Sequence, residues 1–406
     1  MNTPSMYRIF LTFLQLGCMA FGGPAAHLVF FHRKFVDQLQ WLNATQYGQL
    51  VALAQLLPGP SSSQVGLSIG YLQRGYAGAF VAWLGFTLPS ALLMSLIAVL
   101  GQHYFHILNS NSFHSIQLLV FSVIVWAFWQ MLNSFCKSIW QYVLVLISVL
   151  ILSFISISLN QLLVIILGAV FGLVMAKFSN SPQENKPASN SSIIHSSYIR
   201  PRHSPYWFIA FILPFFLIPI LVKSGSWPEL AFFADFYQTG SLVFGGGHVI
   251  LPLLHQDFVA TNLLSSQSFD LGYAFAQLMP GPLFSFASYV GALLPWTGTG
   301  SAWINALLAT CAIFLPSFFL IFATLPYWSW LMQQRIIFQA VSGINAAVVG
   351  LLLYLLIDLS QAYFRSWSDL VFVIVMILLL RSKLPVWFSL IAGFILYQSY
   401  LNFMSF

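Results

Sequence analysis

A seven-residue stretch, Ala54-Gln55-Leu56-Leu57-Pro58-Gly59-Pro60, lies inside a long apolar run and returns as Ala276-Gln277-Leu278-Met279-Pro280-Gly281-Pro282. Two prolines around a glycine stop a helix, because each proline lacks an amide donor and restricts the residue before it. Lipid cannot satisfy the freed backbone groups, so such a break must be buried in protein or line a polar cavity. A break that occurs twice in similar surroundings points to a duplicated structure built around a polar centre.

The surroundings are membrane-like. Of 406 residues, 59% are apolar and 5% are charged, too few charges to cover a soluble surface. Several runs exceed the ~20 apolar residues that cross a bilayer. The implied fold class is an all-α polytopic membrane protein. The formal charge of +6 reads as topology information and not as nucleic-acid affinity, because the basic residues are scattered between apolar runs. Cys18, Cys136 and Cys311 sit in apolar segments without C-x-x-C spacing. They read as small core residues and imply no disulfide and no metal site, and no cofactor is expected. A signal peptide over Met1 to Ala20 is rejected because that stretch belongs to the repeat.

The repeat is detailed. Gly17 and Gly240, Phe21 and Phe244, and Phe35 and Phe258 share one offset, which slips by one before the proline motif. Phe86-Thr87-Leu88-Pro89-Ser90 answers Phe314-Leu315-Pro316-Ser317. The spacing predicts a first membrane repeat over 1–177, a cytoplasmic linker over 178–205 rich in Ser, Asn and Pro, an extra span over 206–223, and a second repeat over 224–406. Interrupted helices, broken or re-entrant, are expected at Phe21-Gly22-Gly23-Pro24, at Phe244-Gly245-Gly246-Gly247 and at both Pro-Gly-Pro motifs. Uninterrupted spans are expected near 76–100, 116–132, 140–156, 159–176, 206–222, 303–324, 336–357, 370–380 and 386–402.

Lysine and arginine set the orientation. With the linker and amino terminus in the cytoplasm and both interrupted pairs dipping in and returning, every basic residue except Lys223 and Arg365 falls inside. That version has about nine full spans and places the carboxyl terminus outside; if each pair crosses instead, about thirteen spans result and Arg33 and Lys34 move outside. In either version each half has an even number of crossings and the extra span adds one. The two repeats are then inverted relative to each other.

Inverted repeats with interrupted helices are how many secondary transporters build a midplane site. Helix starts at the breaks offer free amides and positive dipole ends to an anion. After Pro58, Gly59 and Pro60, the helix opens with Ser61-Ser62-Ser63-Gln64, adding hydroxyl and amide donors. After Gly22 and Gly23 it opens with Pro24, and Gly245, Gly246 and Gly247 with His248, and Gly281 with Ser285, form a less polar counterpart.

The motifs around Phe21 to Pro24, Gln55 to Gln64, Phe244 to His248, Pro280 to Pro282 and Gly343-Ile344-Asn345-Ala346-Ala347-Val348-Val349-Gly350 resemble those of the chromate ion transporter family in its long-chain, two-domain form. The resemblance covers both halves and omits chiefly the linker. It implies a transporter of the cytoplasmic membrane that exports chromate, a sulfate-shaped oxyanion, at the expense of the proton gradient. Chromate follows from the resemblance alone, and sulfate or another oxyanion on the same scaffold is the alternative. Expected partners are the oxyanion, protons and the lipid bilayer, with no nucleic acid; a homodimer is left open.

Each candidate has a plainer competing role. Glycine and proline also permit close helix packing, which explains a lone glycine pair but poorly explains a Pro-Gly-Pro followed by three serines. Gln55 and Gln277 either touch substrate or satisfy backbone freed by proline. His27 and His248 either carry a proton near the cavity or are neutral bundle histidines. His103, His106 and His114 read as ordinary outer-loop histidines, since no carboxylate or cysteine joins them. Arg74 is expected to anchor topology or attract the anion. Lys34 and Asp257 occupy equivalent positions with opposite charge, giving an anion path an electrostatic asymmetry. Asp257 and Asp270 are the candidate carboxylates for proton coupling, while Asp358 and Asp369 read as boundary residues. A passive anion channel is a rival function. A membrane-embedded enzyme is another, against which the sequence shows neither H-E-x-x-H nor G-x-S-x-G.

Overall fold

The computed structural model describes residues 4–104, 109–155, 160–178, 201–225, 229–296, 300–382 and 384–404, and among them all regular structure is helical. The first half comprises α1 (Met6–Met19), α2 (Gly23–His32), α3 (Ala44–Leu56), α4 (Ser61–Tyr104), α5 (Ser110–Phe135), α6 (Ile139–Phe154) and α7 (Asn160–Phe178). After α8 (Ser204–Lys223) the second half comprises α9 (Leu230–Leu242), α10 (Ile250–Leu254), α11 (Ser266–Leu278), α12 (Phe286–Leu293), α13 (Ala302–Thr324), α14 (Trp328–Leu331), α15 (Arg335–Tyr363), α16 (Trp367–Arg381) and α17 (Val386–Met404). Within the described residues, each of the nine expected spans lies essentially along a helix. Seven of the described helices are long and apolar enough to cross a membrane, while α6 and α16 are shorter at 16 and 15 residues. Most of the expected linker, 179–200, lies outside the described residues.

The halves agree in local detail. α1 gives way to α2 through Gly22 and Gly23 at φ +97° and +78°, and α9 gives way through Gly245 and Gly246 at +78° and +147°. Each following helix widens into a π turn, Arg33–Gln38 in one half and His255–Val259 in the other. α3 and α11 are both 13 residues long. Asn43 caps the first by accepting the Gln46 amide, and Ser265 caps the second by accepting that of Ser268, as short polar side chains do at a helix start. Both helices stop before the proline motif, with Leu57 and Met279 extended because proline disfavours the helical region for the residue ahead of it.

α4 is not straight. Arg74 and Gly75 leave the helical conformation, so 61–73 and 76–104 are separate arms. Gly70 and Gly78 face each other across the bend, and a Cβ on either would stand 2.3 Å from the other's carbonyl oxygen. A continuous helix would hold these residues about 12 Å apart.

Small residues bring the helices together, as expected where lipid supplies no hydrophobic drive for helix association. A Cβ on Gly17 of α1 would lie 2.6 Å from the Phe86 carbonyl of α4, and one on Gly240 of α9 would lie 2.1 Å from the Ile313 carbonyl of α13. α15 is gripped from two sides, by α7 through Gly343 against Gly168 and by α6 through Gly350 against Ser148. α8 lies at the periphery against α9 and α13, with Tyr206, Phe208, Phe216 and Ile220 exposed on an apolar surface.

Several expectations are corrected. Of the three cysteines only Cys136 is buried, and Cys18 and Cys311 are exposed on their helices, not core residues. His114 is not a loop histidine: it lies in α5, 4% exposed, with Nε2 3.0 Å from Asp369 Oδ1. Asp369 is not an ordinary boundary residue either. It is buried in the first turn of α16 and also accepts the Tyr397 hydroxyl and the Arg365 and Ser366 amides. A buried carboxylate needs donors on every side, and here α5 and α17 supply those that its own helix start does not. His103 belongs to the last turn of α4 and not to a loop, and His106 lies outside the described residues.

Candidate functional site

The two proline motifs exchange partners between the halves. The Gly59 amide donates to the Val243 carbonyl at 2.7 Å, and the Gly281 amide donates to the Ala20 carbonyl at 2.9 Å. Val243 and Ala20 each precede the phenylalanine of a glycine motif, so each proline turn is fastened to the opposite half's glycine turn. The glycines are required by geometry. Gly59 has φ +118° with its Cβ position 2.6 Å from Ser317 Oγ, and Gly281 has φ +96° with its Cβ position 2.8 Å from Ser90 Oγ. Ser317 and Ser90 are themselves repeat equivalents on α13 and α4. Gly247 lies against both Leu283 and Pro24, which brings the remaining turns into the same cluster.

His27 ties this cluster together. It is 1% exposed, with Nε2 3.0 Å from the Ala20 carbonyl and Nδ1 3.2 Å from Ser62 Oγ. A carbonyl oxygen only accepts, so Nε2 carries a proton, and in the neutral ring Nδ1 accepts the Ser62 hydroxyl. Ala20 therefore receives both the Gly281 amide and the His27 ring.

The serines expected to act alike divide. Ser61 is half-buried, Ser62 is engaged with His27, and Ser63 is buried with no hydrogen-bond partner on its hydroxyl. The first amides of α4 have no intrahelical acceptor, as at any helix start. Gln64 turns back, its Nε2 donating to the Pro58 carbonyl at 2.6 Å and reaching Ser317 Oγ at 3.4 Å, while its Oε1 is buried and unpartnered. Ser285, the counterpart of Ser63, donates its hydroxyl to the Pro282 carbonyl at 2.8 Å. A free buried hydroxyl therefore stands at Ser63 beside the first proline turn, whereas its counterpart Ser285 beside the second is tied back.

Gln55 and Gln277, identical in sequence context, also differ. Gln55 is exposed on α3, whereas Gln277 has a buried Nε2 without a partner. His248 is half-buried, with Nδ1 2.8 Å from the Tyr273 hydroxyl. Gly245 packs against Phe135 and lies 3.3 Å, from its Cβ position, from Asn345 Oδ1, an atom that is itself buried and unpartnered.

The charged candidates lie apart from this cluster. Lys34 donates to Gln15 Oε1 at 3.3 Å, and Arg74 Nε donates to the Pro4 carbonyl at 2.8 Å, fastening the start of α1 to the bend of α4. Asp257 accepts the Thr239 hydroxyl at 3.3 Å in its π turn. Asp270 is buried in α11 and accepts the Tyr363 hydroxyl. Among the described residues no cluster of His, Cys, Asp or Glu could hold a metal ion.

Sequence reasoning missed Ser90 and Ser317 as the surfaces that receive the proline turns. Their signal was available in the repeated Leu-Pro-Ser. It also missed Tyr273 and Tyr363, which carry no sequence signal beyond their position on helices rich in apolar residues.

Comparison with known proteins matches two stretches of the chain to one family. The family described as Chromate transporter matches residues 7–173 and 230–397. An uncharacterised transporter of Methanocaldococcus jannaschii is 28% identical over 404 residues, covering 97% of this chain and 95% of that one. The chromate transport protein of Pseudomonas aeruginosa is 27% identical over 359 residues, covering 87% and 81% respectively. That of Cupriavidus metallidurans is 26% identical over 357 residues, covering 86% and 81%. No solved structure matches the chain. With its apolar helices, the protein is a multi-pass membrane protein.

Proposed function

We propose, given that the chain belongs to the chromate transporter family, that it is a secondary transporter exporting chromate across the cytoplasmic membrane, driven by the proton gradient and conferring chromate resistance. Its amino terminus and linker face the cytoplasm, its carboxyl terminus faces outward, and its two halves are inverted repeats around a shared site. The observation that carries the reading is Ser63: a buried hydroxyl without a partner, in the first turn of α4 beside Pro58-Gly59-Pro60. A helix start and a free hydroxyl bind an oxyanion without a buried lysine or arginine. The names of the Pseudomonas and Cupriavidus relatives support chromate as that oxyanion. The reciprocal fastening of proline and glycine turns supports a site shared by both halves.

Purified protein in liposomes tests this directly. Chromate flux should follow an imposed pH gradient, and Ser63→Ala should weaken apparent chromate affinity about tenfold, the equivalent of roughly 1.5 kcal/mol for a hydrogen bond to a charged group. Flux set by voltage alone, indifferent to the pH gradient, would make the protein a passive channel. Stronger transport of sulfate than of chromate would reassign the substrate, and unchanged affinity in Ser63→Ala would remove the first proline turn from the site.

A further inference from the structure

α11 carries a polar face that its counterpart α3 largely lacks. Asp270, Tyr273 and Gln277 recur at i, i+3 and i+7, one side of a helix, and run about 10 Å along its axis toward Pro280-Gly281-Pro282. The equivalent residues of α3 are Gly48, Val51 and Gln55. A side chain at Gly48 would stand in open space, so the shared scaffold does not need a carboxylate at this position.

Asp270 is 2% exposed. The Tyr363 hydroxyl of α15 donates to its Oδ2 at 2.5 Å, and the polar side chains of Gln117 on α5 and Ser266 on α11 act on the same carboxyl. Among the described residues it forms no ion pair. The titratable groups facing it are Tyr363 from α15 and Tyr289 from α12. From the π turn, His255 lies edge-on to Phe269 and interacts electrostatically with Asp358. His114 of α5 and Tyr397 of α17 are both occupied by Asp369. Among the described residues, no charged side chain from α4, α5, α12 or α17 acts on the Asp270 carboxyl.

We propose that Asp270 is the carboxyl that takes up and releases the coupling proton, and that α11 carries its state to the second proline turn. This rests on the reading of the protein as a proton-driven exporter. An ionised carboxylate buried without a cation is costly, and neutral donors offset part of that cost, so the group can exchange between its two forms. Ionised, it holds α11 to α15 through Tyr363; protonated, it holds the pair less tightly. The far end of α11 leads to Gly281, whose amide is bonded to Ala20, the carbonyl shared with His27. His27 in turn holds Ser62 beside Ser63, so a contiguous network joins the carboxyl to the anion site. Asp257 is the weaker alternative, being half-buried in a turn whose equivalent position is Lys34.

The test compares wild type, Asp270→Asn, Asp257→Asn and Tyr363→Phe in liposomes, reading the ratio of chromate flux with a pH gradient to flux without one. Asp270→Asn should bring that ratio to about one. A ratio within twofold of wild type in Asp270→Asn, or loss of the ratio in Asp257→Asn alone, overturns the assignment. Tyr363→Phe leaves the carboxyl in place but removes a donor to its ionised form, so the pH of half-maximal flux should rise; an unchanged profile overturns the assignment even where Asp270→Asn does not fold. Infrared titration of the detergent-solubilised protein separates this proposal from the functional reading. The carbonyl stretch of a protonated buried carboxyl should appear at low pH in wild type and be missing in Asp270→Asn, whether or not chromate is transported. Identical spectra in the two proteins would overturn it.

Discussion

Replacing Gly59 by alanine tests the exchanged turns at their tightest point. The residue sits at φ +118°, and the added methyl would lie 2.6 Å from Ser317 Oγ and 2.7 Å from Gln64 Nε2. The backbone conformation alone costs an L-residue about 1–3 kcal/mol, and overpacking a closed site costs a further ~1–3 kcal/mol. Gln64 can swing away only by giving up its bond to the Pro58 carbonyl, worth about 1 kcal/mol. The variant should therefore lose about 2–6 kcal/mol of stability, read as earlier thermal unfolding in detergent. Ser317→Ala alone should be nearly neutral, since its hydroxyl makes only a 3.4 Å contact with Gln64. Combined with Gly59→Ala it should restore about 1 kcal/mol or more, a coupling that a double-mutant cycle isolates. The same cycle at Gly281 should restore less with Ser90→Ala, because Ser90 Cβ remains 3.1 Å from the new methyl. A Gly59→Ala protein within ~0.5 kcal/mol of wild type, the range of an ordinary surface change, would refute the reciprocal packing, as would the absence of coupling to Ser317.

Other packing features make independent predictions. Asp369→Asn should destabilise by about 3 kcal/mol, because an amide nitrogen would face donors the carboxylate now accepts from His114, Tyr397, Arg365 and Ser366; thermal unfolding in detergent reads it, and a loss under ~1 kcal/mol would show that this junction of α5, α16 and α17 is dispensable. Gly343→Val should separate α15 from α7, since a Cβ there would stand 2.0 Å from the Gly168 carbonyl oxygen. The expected cost is about 3 kcal/mol or more, seen as loss of the monodisperse species on size-exclusion chromatography; a normal profile would refute the close approach.

Much of the scaffold was legible because its determinants are local. Proline after Leu57 and Met279 forces an extended residue, Asn43 and Ser265 cap the helices they precede, and glycine pairs turn the chain where lipid could not. Each of these acts within a few residues. The site was less legible because its contacts run between halves. Aligning the repeat sets Gly59 beside Gly281, yet in space Gly59 meets Val243 and Ser317, and no pattern within one half records that crossing. The pairing of His114 with Asp369 spans 255 positions and likewise left no local trace. The three serines looked equivalent because a sequence shows donors without their acceptors, and only packing shows that Ser62 is engaged and Ser63 is not.

Duplication explains why the polar groups can differ between halves without loss of the fold. The backbone devices, positive-φ glycines, proline stops, caps and π turns, occur in both copies. The side chains that such a centre would use do not. Ser63 is free where Ser285 is tied back, His27 stands where the second half has Ile250, and Asp270 stands where the first has Gly48. Because each proline turn is fastened to the opposite half, a displacement of α11 cannot stay within its own half: Gly281 must carry Ala20, and with it His27 and Ser62. Under the proposed function, a scaffold symmetric in backbone and asymmetric in chemistry would keep a proton and an anion on separate halves while the exchanged turns couple both to one movement.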